Sequence, residues 1–328
     1  MSGNLSNTIP PVLKPDVINT AVLFLIFNRI ELTKRVLQAI SQAQPPRLYI
    51  ACDGARSHKN GEAETVTALR NYVMSHIDWE CDVKTLFQEE NLGCKYAVSS
   101  AITWFFENEE QGMILEDDCL PNQSFFTFCE ELLNRYKDDE SICQISGTNA
   151  LNGKIFTDND YYFSRFNNPV WGWASWRRAW KRYDIEMLRW SDSEGRAWLN
   201  KMMDDKYQTR YWANALRNTK SGLIDTWDYQ WTFNCLSENL LVVIPSLNLV
   251  SNIGFGPDAT HTNSLNSHVS QYANMDVFDF KTILKHPDKV ERCVNSDSYI
   301  QNTWFTTGTI LQRIVNKMKR FRKSFKYN

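Results

Sequence analysis

Apolar and polar positions alternate along this chain in blocks whose period keeps switching. Ala21 to Phe27 is a continuous apolar run, of the kind that forms a strand buried on both faces of a parallel sheet. Leu32, Val36, Leu37 and Ile40 then recur at helical spacing, and Pro45-Pro46 ends the helix they predict. Leu48 to Cys52 reads as a second strand, Val66, Leu69, Val73 and Ile77 as the face of a second helix, and Val83 to Phe87 as a third strand. Ala97, Val98, Ala101, Ile102, Phe105 and Phe106 mark a third helix, and Met113 to Leu115, opened by Gly112, a fourth strand. Strand and helix alternate four times, which predicts an α/β fold built on a doubly wound, mostly parallel sheet with right-handed crossovers. Phe125, Phe126, Cys129, Leu132, Leu133 and Tyr136 then share one helical face, and Ile142 to Ser146 is a further short strand.

Past residue 150 the texture changes. Most of the 12 tryptophans lie there, several of them in the run from Trp171 to Trp180 and in Trp227-Asp228-Tyr229-Gln230-Trp231. Most of these rings are expected to be core. Indole and phenol rings also stack on the apolar faces of sugars, so an aromatic-rich half is a candidate saccharide-acceptor region as well. The chain therefore divides into a polar N-terminal segment (1–19), a first half of one α/β domain (20–150), a second, aromatic half (151–300) and a C-terminal tail (301–328). In the tail, Ile310, Leu311, Ile314, Val315, Met318, Phe321 and Phe325 fall on one helical face. Arg313, Lys317, Lys319, Arg320, Arg322, Lys323 and Lys326 crowd the rest. A basic amphipathic helix of this kind lies in an anionic membrane interface; the competing expectation is that its apolar face docks onto protein.

Candidate chemistry concentrates where strands end. The fourth strand runs straight into Glu116-Asp117-Asp118, and ligands of open α/β sheets bind at the carboxyl ends of the strands. Adjacent carboxylates repel unless a cation sits among them. Oxygen-only ligands suit Mn²⁺ or Mg²⁺, which also grip a diphosphate. The competing expectation is a solvated acidic turn, and the position directly after a buried strand favours the metal-diphosphate site over it. Arg29 and Asp53 end the first two strands, where a guanidinium suits phosphate or base contacts and a carboxylate suits a base N–H or a ribose hydroxyl. The Asn28-Arg29 turn is neither a Gly-x-Gly-x-x-Gly nor a Gly-Lys-Ser/Thr loop, which disfavours NAD enzymes and P-loop ATPases. Asp228, between tryptophans, is expected to be desolvated and hence a proton acceptor. His261 follows a glycine-rich loop.

Composition narrows the class without naming it. With 43% hydrophobic and 23% charged residues the chain is globular rather than disordered. A net charge of −2 gives no global argument for nucleic acid. Its 8 cysteines form no Cys-x-x-Cys pair, which points to buried, reduced thiols. The start of the chain has no apolar core of signal type, and no apolar run approaches the roughly 20 residues that span a bilayer. A cytoplasmic protein is expected, with the tail as a peripheral hold on the inner face of the membrane.

Taken together and in order, several motifs resemble one family. They are Asn-Arg after the first strand, Asp-Gly after the second, Glu-Asp-Asp after the fourth, Gly172-Trp173, Trp227-Asp228, and Phe255-Gly256 with His261 downstream. The pattern, over Val22 to Thr262, resembles GT-A-fold nucleotide-sugar glycosyltransferases, and within them the N-acetylglucosaminyltransferase I type and its bacterial relatives. The resemblance implies inverting transfer of a hexosyl or N-acetylhexosaminyl group. The donor is a UDP-sugar, the acceptor a glycan or lipid-linked saccharide, and the cofactor Mn²⁺ or Mg²⁺. It implies Asp118 as metal ligand, with His261 as a second metal or diphosphate contact. Glu116 and Asp117 place the ribose and the site geometry, Arg29 and Asp53 contact the nucleotide, and Asp228 is the catalytic base. A family histidine near the third helix has no counterpart; Lys95 is the nearest cation. Two rivals remain: a glycoside hydrolase using Glu116 and Asp228 as acid and base, and a non-catalytic, cation-dependent carbohydrate-binding protein.

Overall fold

A computed structural model describes residues 18–166, 170–204, 206–255, 272–280 and 283–305. The expected alternation is present. It runs β1 (Ala21–Ile26), α1 (Ile30–Ala43), β2 (Arg47–Cys52), α2 (Glu62–Ser75), β3 (Asp82–Phe87), α3 (Gly93–Asn108) and β4 (Gln111–Glu116). These four strands pair in parallel in the order β3-β2-β1-β4. The apolar run of β1 has no visible period in sequence because both of its faces are covered. Ala21, Leu23 and Leu25 pack with Ala101, Ile102, Phe105 and Phe106 of α3, while Val22, Phe24 and Ile26 face α1 and α2.

The second half extends the same sheet in a way the sequence pattern does not announce. After β5 (Cys119–Pro121), α4 (Gln123–Arg135) and β6 (Ile142–Ser146) come β7 (Tyr161–Ser164), β8 (Trp173–Trp176) and α5 (Arg177–Trp180). Then follow α6 (Asp192–Met202), α7 (Lys206–Lys220), α8 (Asp228–Ser237), β9 (Leu241–Pro245), β10 (Val250–Asn252) and α9 (Val294–Thr303). The full order is β3-β2-β1-β4-β8-β6-β9-β7, with β8 and β7 running against the others. The tryptophan run thus supplies a strand, β8, inserted antiparallel between β4 and β6, with Trp173 opposite Ile114. Trp173, Trp212 and Trp231 are fully buried and Trp176, Trp180, Trp190 and Trp227 nearly so, as expected of core rings.

Two features fix the strand ends that matter. The short strands β5 and β10 form an antiparallel ribbon, with Asn252 opposite Cys119 and the Ile253 amide donating to the Asp118 carbonyl at 2.8 Å. The acidic turn is therefore held between β4 and this ribbon, and the chain after β10 passes directly over it. The second feature is the Asp53-Gly54 pair. Asp53 Oδ1 accepts from the Leu92 and Gly54 amides (both 2.9 Å), and its Oδ2 from the Gly93 amide (3.1 Å) and Asn91 Nδ2 (2.9 Å). It caps the start of α3 from the end of β2, satisfying amides that have no partner inside the helix. A Cβ on Gly54 would lie 2.3 Å from the Glu90 carbonyl carbon. Gly54→Ala is accordingly expected to cost about 1–3 kcal/mol in urea unfolding, the range for forced overpacking; a cost within error of zero would mean that β2 and the 90–92 segment do not approach as described.

Candidate functional site

The carboxyl ends of β1, β2 and β4 and the first turn of α3 enclose a cavity of about 300 Å³. Its walls include Phe27, Asn28, Arg29, Asp53, Arg56, Cys94, Glu116, Asp117, Asp225 and Gly254. Four of the residues singled out in the sequence therefore meet here, although they lie up to 88 positions apart (Arg29 to Asp117). Two were not anticipated. Asp225 enters from the loop before α8, and its Oδ1 accepts from the Lys95 amide at 3.1 Å. Cys94 sits in the same turn; burial pushes its thiol up, and Glu116, Asp228, Asp225 and Asp53 push it further. The spacing of Asp225 and Asp228 around Trp227 was the available signal for the first. Nothing local marks the second.

The acidic turn carries the strongest electrostatics. Arg29 Nη2 donates to Asp117 Oδ1 at 2.5 Å and to Asp118 Oδ2 at 2.9 Å. Burial works against the guanidinium's charge, and the two carboxylates more than offset it. A cation among these acids is thus present as a side chain, and Arg29, though it lines the cavity, spends Nη2 on the two carboxylates. Glu116 is pushed up to about 8, first by burial and then by Asp118 and Asp117, with Asp228 adding to the effect. Asp117 is raised to about 6 by burial, against the pull of Arg29. Asp118 touches Gly254 so closely that a Cβ there would lie 2.2 Å from Asp118 Oδ2 and 2.7 Å from Arg29 Nη1. Only glycine lets the β10 segment close over the turn.

Asp228 is placed by packing. Trp173, paired with β4, stacks on Trp227 with ring centroids 5.7 Å apart and planes at 19°. Trp227 in turn fixes the first residue of α8, which is Asp228. The tryptophans face inward, so Asp228 is half-buried at the helix start rather than enclosed between rings. Its Oδ1 accepts from the Tyr229 amide at 2.8 Å and from Thr226 Oγ1. Asp53 reaches the cavity, but its oxygens already take four hydrogen bonds, three from residues 91–93 at the start of α3 and one from the Gly54 amide, about the capacity of a carboxylate. Lys95 is turned to Glu186 Oε1 (3.2 Å) and does not line the cavity. Its backbone, through Asp225, carries the contact instead. His261 and the tail from 309 to 328 lie outside the described residues.

The donor set can be tested for a hard divalent ion. It consists of carboxylate oxygens only, and Asp117 Oδ2 is buried without a hydrogen-bond partner. Among the described residues no three His, Cys, Asp or Glu side chains are gathered to hold a metal by themselves. The turn thus fits an ion of the Mg²⁺ or Mn²⁺ type held through one or two carboxylates and completed by substrate oxygens and water.

No protein-family model matches the chain, and no curated protein matches it. Among solved structures it is similar to the mannosyltransferase PcManGT from Pyrobaculum calidifontis, in complex with GDP-Man and Mn²⁺. The identity is 13% over 69% of this chain and 70% of that one, with a TM-score of 0.36. It is also similar to GalNAc-T7 with UDP, GalNAc and Mn²⁺, at 10% identity and a TM-score of 0.40. That match covers 70% of this chain but spans only 43% of the other. A third is TarS 1–349 of S. aureus, at 11% identity, 68% and 70% coverage and a TM-score of 0.36. Likeness at this level assigns no activity.

The raised carboxyls make stability depend on pH. With Glu116 held near 8 in the fold and near its usual 4.5 when unfolded, the native state binds the extra proton between those values, so stability falls as pH rises through them. Glu116→Gln removes this titration. In chelator, the variant should gain stability relative to the parent as pH goes from about 5 to about 8, read from urea midpoints. A parent-to-variant gap constant across that range would show that Glu116 is not buried among like charges.

Proposed function

We propose that this protein is a metal-dependent, inverting glycosyltransferase of the GT-A type, moving a hexosyl or N-acetylhexosaminyl group from a UDP-sugar to a hydroxyl of a glycan or lipid-linked saccharide. The observation that carries this reading is the meeting, at one strand-end cavity, of Glu116 and Asp117 from the first half with Asp225 from the second, while Asp228 stands close enough to raise Glu116. A hydrolase needs one acid and one base; it leaves Asp117, Asp118 and their Arg29 partner without a task. The narrower likeness to the N-acetylglucosaminyltransferase I type rests on the order of motifs alone.

In this reading each residue has a stated job. Asp118, with Asp117 or Glu116, would hold the divalent cation, and when bound that ion neutralises charge on a departing diphosphate. Phe27, Leu86, Ala97 and Val98 or their neighbours give the cavity an apolar floor suited to a nucleobase or ribose face. Asp53 keeps the start of α3, and with it the cavity wall, in place; base contact by its filled carboxylate requires the cap to open. Asp228 Oδ2 takes the acceptor proton, while Thr226 and the Tyr229 amide hold Oδ1 and fix the carboxylate's orientation. A single base opposite the leaving group suits in-line displacement with inversion. The lipid-linked class of acceptor and a place at the inner membrane face rest on the basic amphipathic pattern of residues 309–328.

Two variants separate binding from chemistry. Asp118→Asn should keep the fold and lose the rise in melting temperature that UDP gives only with Mn²⁺ present. Asp228→Asn should keep that rise and lower transfer from a UDP-sugar by at least roughly 10²-fold, the scale of a lost general base. Parent protein that shows no Mn²⁺-dependent stabilisation by UDP, or an Asp228→Asn variant with undiminished turnover, would remove the corresponding part of the proposal.

A further inference from the structure

We propose that Arg29 is the acidic turn's resident counter-cation, and that it exchanges partners when donor arrives: the carboxylates pass to the divalent ion and the guanidinium passes to the diphosphate. The proposal deepens the reading above and rests on it.

Three observations carry it. Arg29 Nη2 bridges two carboxylates, Asp117 Oδ1 at 2.5 Å and Asp118 Oδ2 at 2.9 Å, so a single side chain occupies an oxygen of each. The other oxygen of Asp117, a residue only 4% exposed, is buried with no hydrogen-bond partner, so the turn holds acceptor capacity that Arg29 leaves unused. Arg29 also lines the cavity, half-buried at the N-terminal end of α1, and its Nη1 lies beside the Gly254 backbone. The guanidinium is therefore placed where a small side-chain rotation carries it from carboxylate to cavity.

The electrostatics then favour exchange over coexistence. A divalent ion approaching the turn with Arg29 in place meets like charge at close range in a site sheltered from water. Cation alone is consequently a poor competitor. A diphosphate changes the balance, because its oxygens accept the guanidinium fork as well as carboxylates do. Metal and nucleotide thus assist one another through Arg29, and by linkage the assistance is mutual. The device also explains why three clustered acids persist in a fold that must be stable before any donor binds.

Arg29→Met tests this by Mn²⁺ titration without nucleotide, reading free Mn²⁺ by its electron paramagnetic resonance signal. The expected result is Mn²⁺ binding at least about tenfold tighter than in the parent, a gain of about 1.4 kcal/mol. Adding Asp118→Asn should abolish the gain, which locates it at this turn. UDP affinity at saturating Mn²⁺ should fall at least about tenfold in Arg29→Met. Arg29→Lys, whose single ammonium bridges two carboxylates poorly, should show a smaller gain in the same direction and serves if the methionine variant does not fold. If the parent binds UDP with Mn²⁺ but neither variant binds Mn²⁺ alone more tightly, the exchange is wrong while the proposed function stands. If no protein in the series shows Mn²⁺-dependent UDP binding, the functional reading fails and the exchange with it.

Discussion

The crowding of three consecutive carboxylates at the end of β4, with Asp117 buried and Glu116 and Asp118 half-buried, is the constraint to which the rest of the structure answers. Charges removed from water must be paired or must hold their protons. Glu116 and Asp117 hold theirs well above the usual range, and Asp117 and Asp118 share the Arg29 guanidinium. That pairing works only because β1 and β4 are parallel neighbours in register, with Leu25 opposite Glu116, so that both strands end side by side. It works also because the β5–β10 ribbon closes the turn from the other side. A surface acidic loop would need neither.

The same logic organises the walls of the cavity. Glu62 at the start of α2 accepts from Asn28 Nδ2 at 2.9 Å and from Arg56 through both its backbone amide and its guanidinium, and it lies well below its usual value at about 2. Arg70 reaches from α2 to the carbonyls of Asp53 (3.0 Å) and Gln88 (2.7 Å), tying together the ends of β2 and β3. With Asp53 capping α3, the strand ends around the cavity are cross-linked by side chains before any ligand is bound. A site whose supporting groups are already satisfied needs little reorganisation to bind.

The tryptophans of the second half contribute chiefly as spacers. Trp173 stands in the sheet beside β4, Trp227 stacks on it, and Trp180 and Trp231 fill the space around them. The stack sets where α8 begins, and so where Asp228 stands relative to Glu116. Among the described residues, Trp171 is only partly buried, against Phe255 and Trp304, and the hydroxyl of the half-buried Tyr229 meets that of Tyr211 at 3.0 Å.

The sequence by itself determined the first half of the fold and the strand ends at which the candidate residues stand. Its apolar runs are uniform over β1 and β4 and periodic over α1, α3 and α4, and burial on two faces or one leaves that trace in any single chain. Arg29, Asp53 and Glu116-Asp117-Asp118 were legible because they follow those strands directly. What only the tertiary structure decided were relations between distant segments. Trp171 to Trp180 reads as a cluster of rings, and nothing local says that Trp173 to Trp176 crosses the sheet antiparallel between β4 and β6. Asp53 looks like a ligand from its place after a strand, but its oxygens belong to amides of residues 91–93. Arg29 looks like a phosphate contact, and its partners are acids 88 and 89 positions away. Propensity and periodicity report how a residue meets solvent or core, and they carry no record of which charge from another segment will stand 3 Å away.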